Sequence, residues 1–296
     1  MQKTTWRHIT APDEQEHLVD AVLARVQQVR AAAEGRTSPM PRGLQGEIWS
    51  RDSADGDIVV WALPSDGRVA LLGILAPTQS ATPLRAQLGE LAAAAGWHGD
   101  WNFSAYAGDE LMTTLAAEAE AQRIATKMQL LVAEVPEPNG IHLRAMDDAD
   151  YAVYRAAADE GYAQERFASG AEPTIEEARR FAAQQMAELL PDAQRTAGHL
   201  LCTVREEPTD EQIGILWVHL RETTAFIYDI EMDERMRGRG YGTQTLRAAA
   251  SETRRAGLEV LCLNVFGSND AARRLYAREG YTEVEAMWAL PIEDAR

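Results

Sequence analysis

The residues best suited to chemistry lie toward the end of the chain. Arg237-Gly238-Arg239-Gly240-Tyr241-Gly242 places three glycines and two arginines within six residues. Glycines so spaced let consecutive backbone N–H groups turn toward one point without Cβ collisions, and a helix starting just after them adds its positive end to the same point. Such a turn suits a pyrophosphate. It is not the dinucleotide fingerprint, because GxGxxG is absent, and it is not a Walker A turn, because GK[ST] is absent. From Arg235 to Glu279 nine arginines stand against four acids, a local cationic excess in an otherwise acidic chain.

Two further groupings flank this turn. Downstream runs Asn269-Asp270-Ala271-Ala272-Arg273-Arg274-Leu275-Tyr276-Ala277-Arg278-Glu279-Gly280-Tyr281, in which Asn269 opens a helix and Tyr276 falls two turns later on the same side. Upstream, Asp229 and Glu231 alternate along one strand and share a face. The six histidines show neither HxxH nor HExxH spacing, so no helix-borne metal site is expected. Cys202 and Cys262 sit inside short apolar runs and read as buried free thiols of a reducing compartment.

The elements that must position these groups follow from apolar periodicity. After the stretch Val135 to Gly140 (VPEPNG), which continues neither a helix nor an interior strand, come a strand at Ile141 to Arg144 and helices near Asp147 to Glu160 and Ile175 to Leu190. Strands follow at His199 to Val204, Ile213 to His219 and Ala225 to Met232. The glycine turn, a helix at Thr243 to Arg255, a strand at Leu258 to Val265, a helix at Asn269 to Glu279 and a strand at Val284 to Leu290 complete the half. The first half opens with an amphipathic helix, Asp13 to Arg30, carrying Val19, Val22, Leu23 and Val26 at helical spacing. It continues with strands Ile58 to Leu63 and Val69 to Leu75, helix Leu84 to Ala95, strand Asp100 to Tyr106, helix Asp109 to Ala121 and strand Ile124 to Val132. Alternating strands and helices predict an α/β chain of two domains, 1–136 and 137–296.

The R-x-x-G-x-G turn of Arg237, Gly240 and Gly242, paired with N-x-x-A-x-x-L-Y-x-x-x-G-[FY] on the following elements, resembles the GNAT superfamily of N-acetyltransferases. The resemblance covers roughly Ile141 to Ile292 and is strongest from Tyr228 to Tyr281. It implies two GNAT-like mixed-sheet α/β domains in tandem, each a central splayed sheet flanked by helices, with the first degenerate. It also implies acetyl-CoA as co-substrate and no metal. Carried over by residue, the amides of Arg237, Gly238, Arg239, Gly240, Tyr241, Gly242 and Thr243 would bind the pyrophosphate. A backbone N–H near Met232 would face the thioester carbonyl beside a bulge. Asn269 would hydrogen-bond the pantetheine arm, and Tyr276 would protonate the departing thiolate.

An amine acceptor arrives protonated, with a reference pKa of ~10 for a lysine-like group, so a base is needed. Glu231 is the preferred base, with Asp229 orienting the amine, and the pair suggests a small cationic substrate. Candidate substrate contacts are Tyr162, Trp217, His219, Tyr228, Asn264 and Trp288. The acceptor stays open among an antibiotic, a polyamine, an amino-sugar precursor and a protein N-terminus, and a non-catalytic acyl-CoA sensor is the alternative from another class.

Sliding the chain on itself by 160 residues puts Asp109 on Asn269, Leu115 on Leu275, Ile124 on Val284 and Leu130 on Leu290. The same shift puts Arg237, Gly240 and Gly242 on Pro77, Ser80 and Thr82, and Tyr276 on Ala116. The first half has lost the turn and the acid, so one acetyl-CoA per chain is expected. The formal net charge of -17 argues against nucleic acid, and no apolar run is long enough to span a bilayer. A cytoplasmic protein, monomeric as an internal pseudo-dimer or homodimeric, is expected. Arginine almost replaces lysine, which suggests a bacterial source with a GC-rich genome.

Overall fold

Val22 and Val26 form the buried face of helix α1 (Pro12–Glu34), with Leu18, Val19 and Leu23 partly buried around them. The helix rests on strand β4 (Arg68–Leu75) at Gly73, where any Cβ would run into Val22 and Val26. The computed structural model describes residues 5–37, 45–52, 56–77, 83–118, 120–168, 174–267 and 269–292. Among them no helix is long and apolar enough to cross a membrane.

The chain forms two compact units whose membership is not sequential. Unit 1 is Met1–Gln129, Asn264–Ala277 and Thr282–Arg296, and unit 2 is Leu130–Leu263 with Arg278–Tyr281. Unit 1 therefore holds the last strand predicted for each half of the sequence.

In unit 1, β1 (Arg7–Ile9), β2 (Glu47–Arg51), β3 (Ile58–Ser65) and β4 pair antiparallel in turn. Strand β4 lies parallel to β5 (Asp100–Tyr106), which pairs antiparallel with β12 (Thr282–Pro291), itself antiparallel to β6 (Gln122–Leu131). β3 is buried on both faces: Val59 and Trp61 pack with α1, while Val60 and Ala62 pack with Leu88 and Leu91 of α2 (Leu84–Ala95) and Leu115 of α3 (Glu110–Ala116). Helices thus cover both sides of the sheet, which explains why β3 reads as an unbroken apolar run.

In unit 2, β7 (Ile141–Ala145), β8 (His199–Glu206), β9 (Gln212–Leu220) and β10 (Ala225–Met232) form an antiparallel run. β10 then pairs in parallel with β11 (Val260–Phe266) after helix α6 (Tyr241–Arg255). Helices α4 (Asp148–Ala168) and α5 (Ile175–Leu189) cover one side through Tyr154, Met186, Leu201 and Trp217. The Pro-containing stretch after β6 is held by α6: Arg254 Nη1 donates to the carbonyls of Val132 (2.6 Å) and Val135 (2.8 Å), and Ser251 Oγ donates to Glu137 (2.7 Å). Helix α7 (Asp270–Arg278) lies with unit 1 as far as Ala277.

Both units carry the same local irregularity. In β4 the antiparallel register with β3 skips Leu72, and parallel pairing with β5 stops one residue earlier, at Leu71 and Phe103. In β10 the register with β9 skips Tyr228, and parallel pairing with β11 stops at Ile227 and Leu263. A bulge followed by a splay thus occurs twice, once in the strands of each unit, as a tandem architecture requires. Several boundaries differ from the sequence expectation. β1 and β2, of three and five residues, are too short to show alternation and were not predicted. α3 ends at Ala116 and not Ala121, because from Gln122 the chain pairs as β6 and overrides the helix propensity of its alanines. α4 runs on to Ala168.

Candidate functional site

The glycine turn belongs to unit 2. After β10 comes a single 3₁₀ turn, Glu234–Met236, and then Arg237 in extended conformation. Gly238 (φ 76°) and Gly240 (φ 86°) are both left-handed, and a Cβ at either would meet nothing within 4 Å. Backbone conformation, not crowding, therefore demands glycine there. Gly240 caps α6 without any side-chain hydrogen bond into the first turn, which leaves the first N–H groups of the helix for an external acceptor. An anionic phosphate fits that end.

The side chains of the turn are unequally available. Arg239 has no ion pair among the described residues, whereas Arg237 folds back, its Nε on the Met232 carbonyl (3.2 Å) and its Nη2 on Glu231 Oε1 (3.4 Å). The Tyr241 hydroxyl donates to Glu206, and this hydrogen bond raises the phenol pKa. Thr243 donates to Glu279 Oε1 (3.0 Å), and Arg247 meets Oε2 of the same carboxylate. Much of the local cationic excess is neutralised in the same way: Arg235 meets Glu211, Arg254 meets Glu137, Arg255 meets Glu252 and Arg273 meets Asp270. Arg239, Arg274 and Arg278 carry no ion pair among the described residues.

Strand β10 sets the acids. Glu231 is exposed, beside an open depression that it shares with Asp233, Glu234, Arg235 and Arg237. Asp229 is half-buried and accepts the Tyr154 hydroxyl at 3.1 Å. Burial and the Asp229 charge push the Tyr154 phenol well above its ordinary pKa, so it remains a donor at any physiological pH. The bulge corrects one expectation. It lies at Tyr228, ahead of both acids and not beside Met232, so the splay opens along Tyr228 to Met232. Register with β9, a long-range property, decided this.

Three of the predicted substrate contacts come together around that bulge. Trp217 stacks on Tyr228 at 4.6 Å between centroids, and His219 stacks on His199 at 3.8 Å. Trp217 Nε1 donates to His199 Nδ1 at 2.8 Å, which leaves the proton of that imidazole on Nε2. Burial first, then His219 and Arg221, lower the His199 pKa to about 4, so the ring is neutral. Arg221 donates to the Tyr228 hydroxyl (3.1 Å) and lies over Phe226. Tyr162 stands apart on α4, 37% exposed, under Arg166. Asn264 is exposed on β11, and Trp288 is on β12 in unit 1.

Asn269 and Tyr276 are also carried by unit 1. Asn269 Oδ1 accepts from Ala272 N at 3.0 Å, the N-cap of α7, so that oxygen has a structural task. Tyr276 is buried, 9% exposed. On the 160-residue shift Ala116 is the last residue of α3, while Ser80 and Thr82 lie outside the described residues. Cys202 and Cys262 are buried free thiols, and burial raises the Cys202 pKa to about 11. Tyr154, His199, Arg221 and Glu206 were missed. Nothing local marks them, since His199 meets His219 only through β8–β9 register and Tyr154 meets Asp229 only through helix docking.

Comparison with known proteins bears on the family and the fold. A family model described as the acetyltransferase (GNAT) family matches residues 157–281. The protein named uncharacterized N-acetyltransferase YycN of Bacillus subtilis is 32% identical over 151 residues, covering 50% of this chain and 96% of that protein. YdgE, named likewise and from the same organism, is 27% identical over 143 residues, covering 47% and 90%. Among solved structures, a GCN5-related N-acetyltransferase from Sphaerobacter thermophilus matches 100% of this chain and 98% of its own, with TM-score 0.58 and 15% identity, a likeness of fold.

Proposed function

Because the chain belongs to the GNAT acetyltransferase family, whose general activity is acetyl-CoA-dependent N-acetylation, we propose that it moves an acetyl group from acetyl-CoA to the amine of a small cationic molecule by direct attack within a ternary complex. The observation that carries the proposal is the start of α6: two left-handed glycines, a helix end with no side-chain cap, and Arg239, which has no ion pair among the described residues, next to a strand that splays at Tyr228 and bears Asp229 and Glu231. Residues 137–296 are assigned as the catalytic domain and 1–136 as the degenerate copy.

Bound acetyl-CoA supplies the activated acetyl group. The α6 amides and Arg239 hold phosphate oxygens. Glu231, exposed at the splay, takes the proton of the incoming ammonium directly or through water. Asp229, held as an acceptor by Tyr154, orients that ammonium, and Tyr228, one residue before it on β10 and backed by the buried Trp217, borders its carbon skeleton; Trp217, 3% exposed, supports Tyr228 and does not itself touch substrate. Tyr276 returns a proton to the thiolate, and Asn269 keeps its amide N–H groups for the pantetheine arm. A protein N-terminus would use the same acids. The small cationic molecule is favoured because Asp229 and Glu231 alternate on β10 and can face one compact ammonium.

Calorimetric titration with acetyl-CoA, run beside a thiol-release screen of polyamines, amino sugars and N-terminal peptides, tests this. One site per chain with turnover on a small amine is expected. Binding without turnover on any amine would favour the sensor, and absence of binding would remove the α6 turn as the cofactor site.

A further inference from the structure

Unit 1 keeps a splay of its own. Beyond Leu71 and Phe103, where β4 and β5 stop pairing, lies a cavity of about 340 Å³. Its apolar wall includes Val26 and Val29 of α1, Leu72, Phe103, Met112 and Met287. This is well above the ~150 Å³ in which an apolar cavity holds benzene, and at the small end of metabolite pockets, ~300–1,000 Å³.

Two buried polar atoms of its lining are unmatched. Asp109 is 3% exposed, and its Oδ1 serves twice, accepting from Arg25 Nη2 at 2.6 Å and from Met112 N at 3.3 Å. Asp109 Oδ2 is buried and has no hydrogen-bond partner among the described residues, and the same holds for Trp288 Nε1. One is an acceptor and the other a donor. Native interiors rarely leave such groups unmatched, so a molecule that supplies both partners gains more here than at a wet surface. Arg25 already neutralises the Asp109 charge, so the missing head need not be ionic. Burial, with Glu285 next in effect, raises the Tyr106 pKa to about 12.

The sequence before α2, residues 77–83, holds no glycine. Helix α2 starts at Leu84 with Pro83 as its cap, a residue with no N–H, where the corresponding cap of α6 is Gly240. We propose that unit 1 binds, in this cavity, a small uncharged and phosphate-free molecule whose apolar body carries a hydroxyl that donates to Asp109 Oδ2 and accepts from Trp288 Nε1. The site is separate from the proposed acetyl-CoA turn and stands whether or not that turn binds the cofactor.

The full-length chain is titrated by calorimetry with 2-phenylethanol, ethylbenzene and phenylacetate, while the indole N–H resonance of Trp288 is followed by NMR. The expected result is saturable one-site binding of 2-phenylethanol with a shift of that resonance, at least about ten-fold weaker binding of ethylbenzene, and none of phenylacetate. Ala70→Leu, which fills the cavity, should abolish binding. Asp109→Asn retains the helix cap but replaces the free acceptor by a donor, and should weaken binding about ten-fold. The proposal is overturned if 2-phenylethanol does not bind up to its solubility, if ethylbenzene binds equally well, or if Ala70→Leu, shown folded by circular dichroism, binds like the parent. It is also overturned if two acetyl-CoA bind per chain and the second displaces 2-phenylethanol.

Discussion

Tyr154 donates its hydroxyl to Asp229 Oδ2 across 3.1 Å, joining helix α4 to strand β10 one residue beyond the bulge at Tyr228. Because burial and the carboxylate hold the phenol protonated at physiological pH, Tyr154 stays the donor and Asp229 the acceptor of this bond. Tyr154 is then a positioning residue for the amine. Tyr154→Phe should raise KM for the acceptor about ten-fold, the equivalent of ~1.4 kcal/mol, while the Kd of acetyl-CoA stays unchanged. Equal losses in both would point to a general packing defect.

At the turn, Gly240→Val places a β-branched residue at φ 86°, a conformation that costs an L-residue ~1–2 kcal/mol. With nothing near the new side chain, the domain should remain folded, with a Tm lower by a few degrees. Acetyl-CoA affinity should fall at least about ten-fold by calorimetry. An unchanged Kd would show that the amides of this turn do not hold the pyrophosphate.

The two proton carriers separate by pH profile. Glu231→Gln should remove the acidic limb of kcat/KM and lower kcat/KM ~100-fold, the scale of general base catalysis. Tyr276→Phe should lower kcat ~100-fold with acetyl-CoA binding retained. A Tyr276→Phe enzyme with parental kcat would leave that buried ring a packing role only.

Acid should loosen unit 2 through His199. Its folded pKa, about 4, lies below the ordinary 6.5, so as pH falls the unfolded chain takes up a proton that the folded chain refuses. The folded state keeps its full advantage above pH ~6.5 and loses it as pH falls toward 4. Urea midpoints measured from pH 7 to 4.5 should drop more steeply for the parent than for His199→Gln, whose amide oxygen can still accept from Trp217 Nε1. Parallel curves would remove His199 as a cause.

Glu34 ends α1 with its side chain 1% exposed, meeting Lys127 at 2.7 Å, Arg30 at 3.2 Å and Arg36 at 3.6 Å. Glu34→Ala leaves three cations around a vacated carboxylate site and should cost ~3 kcal/mol in urea denaturation. A loss below ~1 kcal/mol would mean that solvent reaches these cations freely.

Much of the architecture could be read before any coordinates. Ala225–Met232, Leu84–Ala95 and Asp100–Tyr106 fall where apolar runs and periodicity predict them, because each element is long and its neighbours end it with turn residues. β1 and β2 escaped because a few residues carry no period. Of the site, the glycine turn and the two acids were visible as local strings. The turn was legible for its backbone amides, but not that the Arg237 side chain folds back onto Glu231 and the Met232 carbonyl.

The sequence by itself determined the family, the position of the α6 turn and the existence of two halves. These rest on residue types at fixed short spacing, where φ, helix period and strand period act over a few residues. Tertiary structure decided the rest: the bulge at Tyr228, the meeting of His199 with His219, the Tyr154–Asp229 bond, and the placement of β12 between β5 and β6 in unit 1. Each depends on which distant strand or helix supplies the hydrogen-bond partner and in which register. A one-residue slip turns a side chain to the other face of a sheet, and only the packed core selects among those slips.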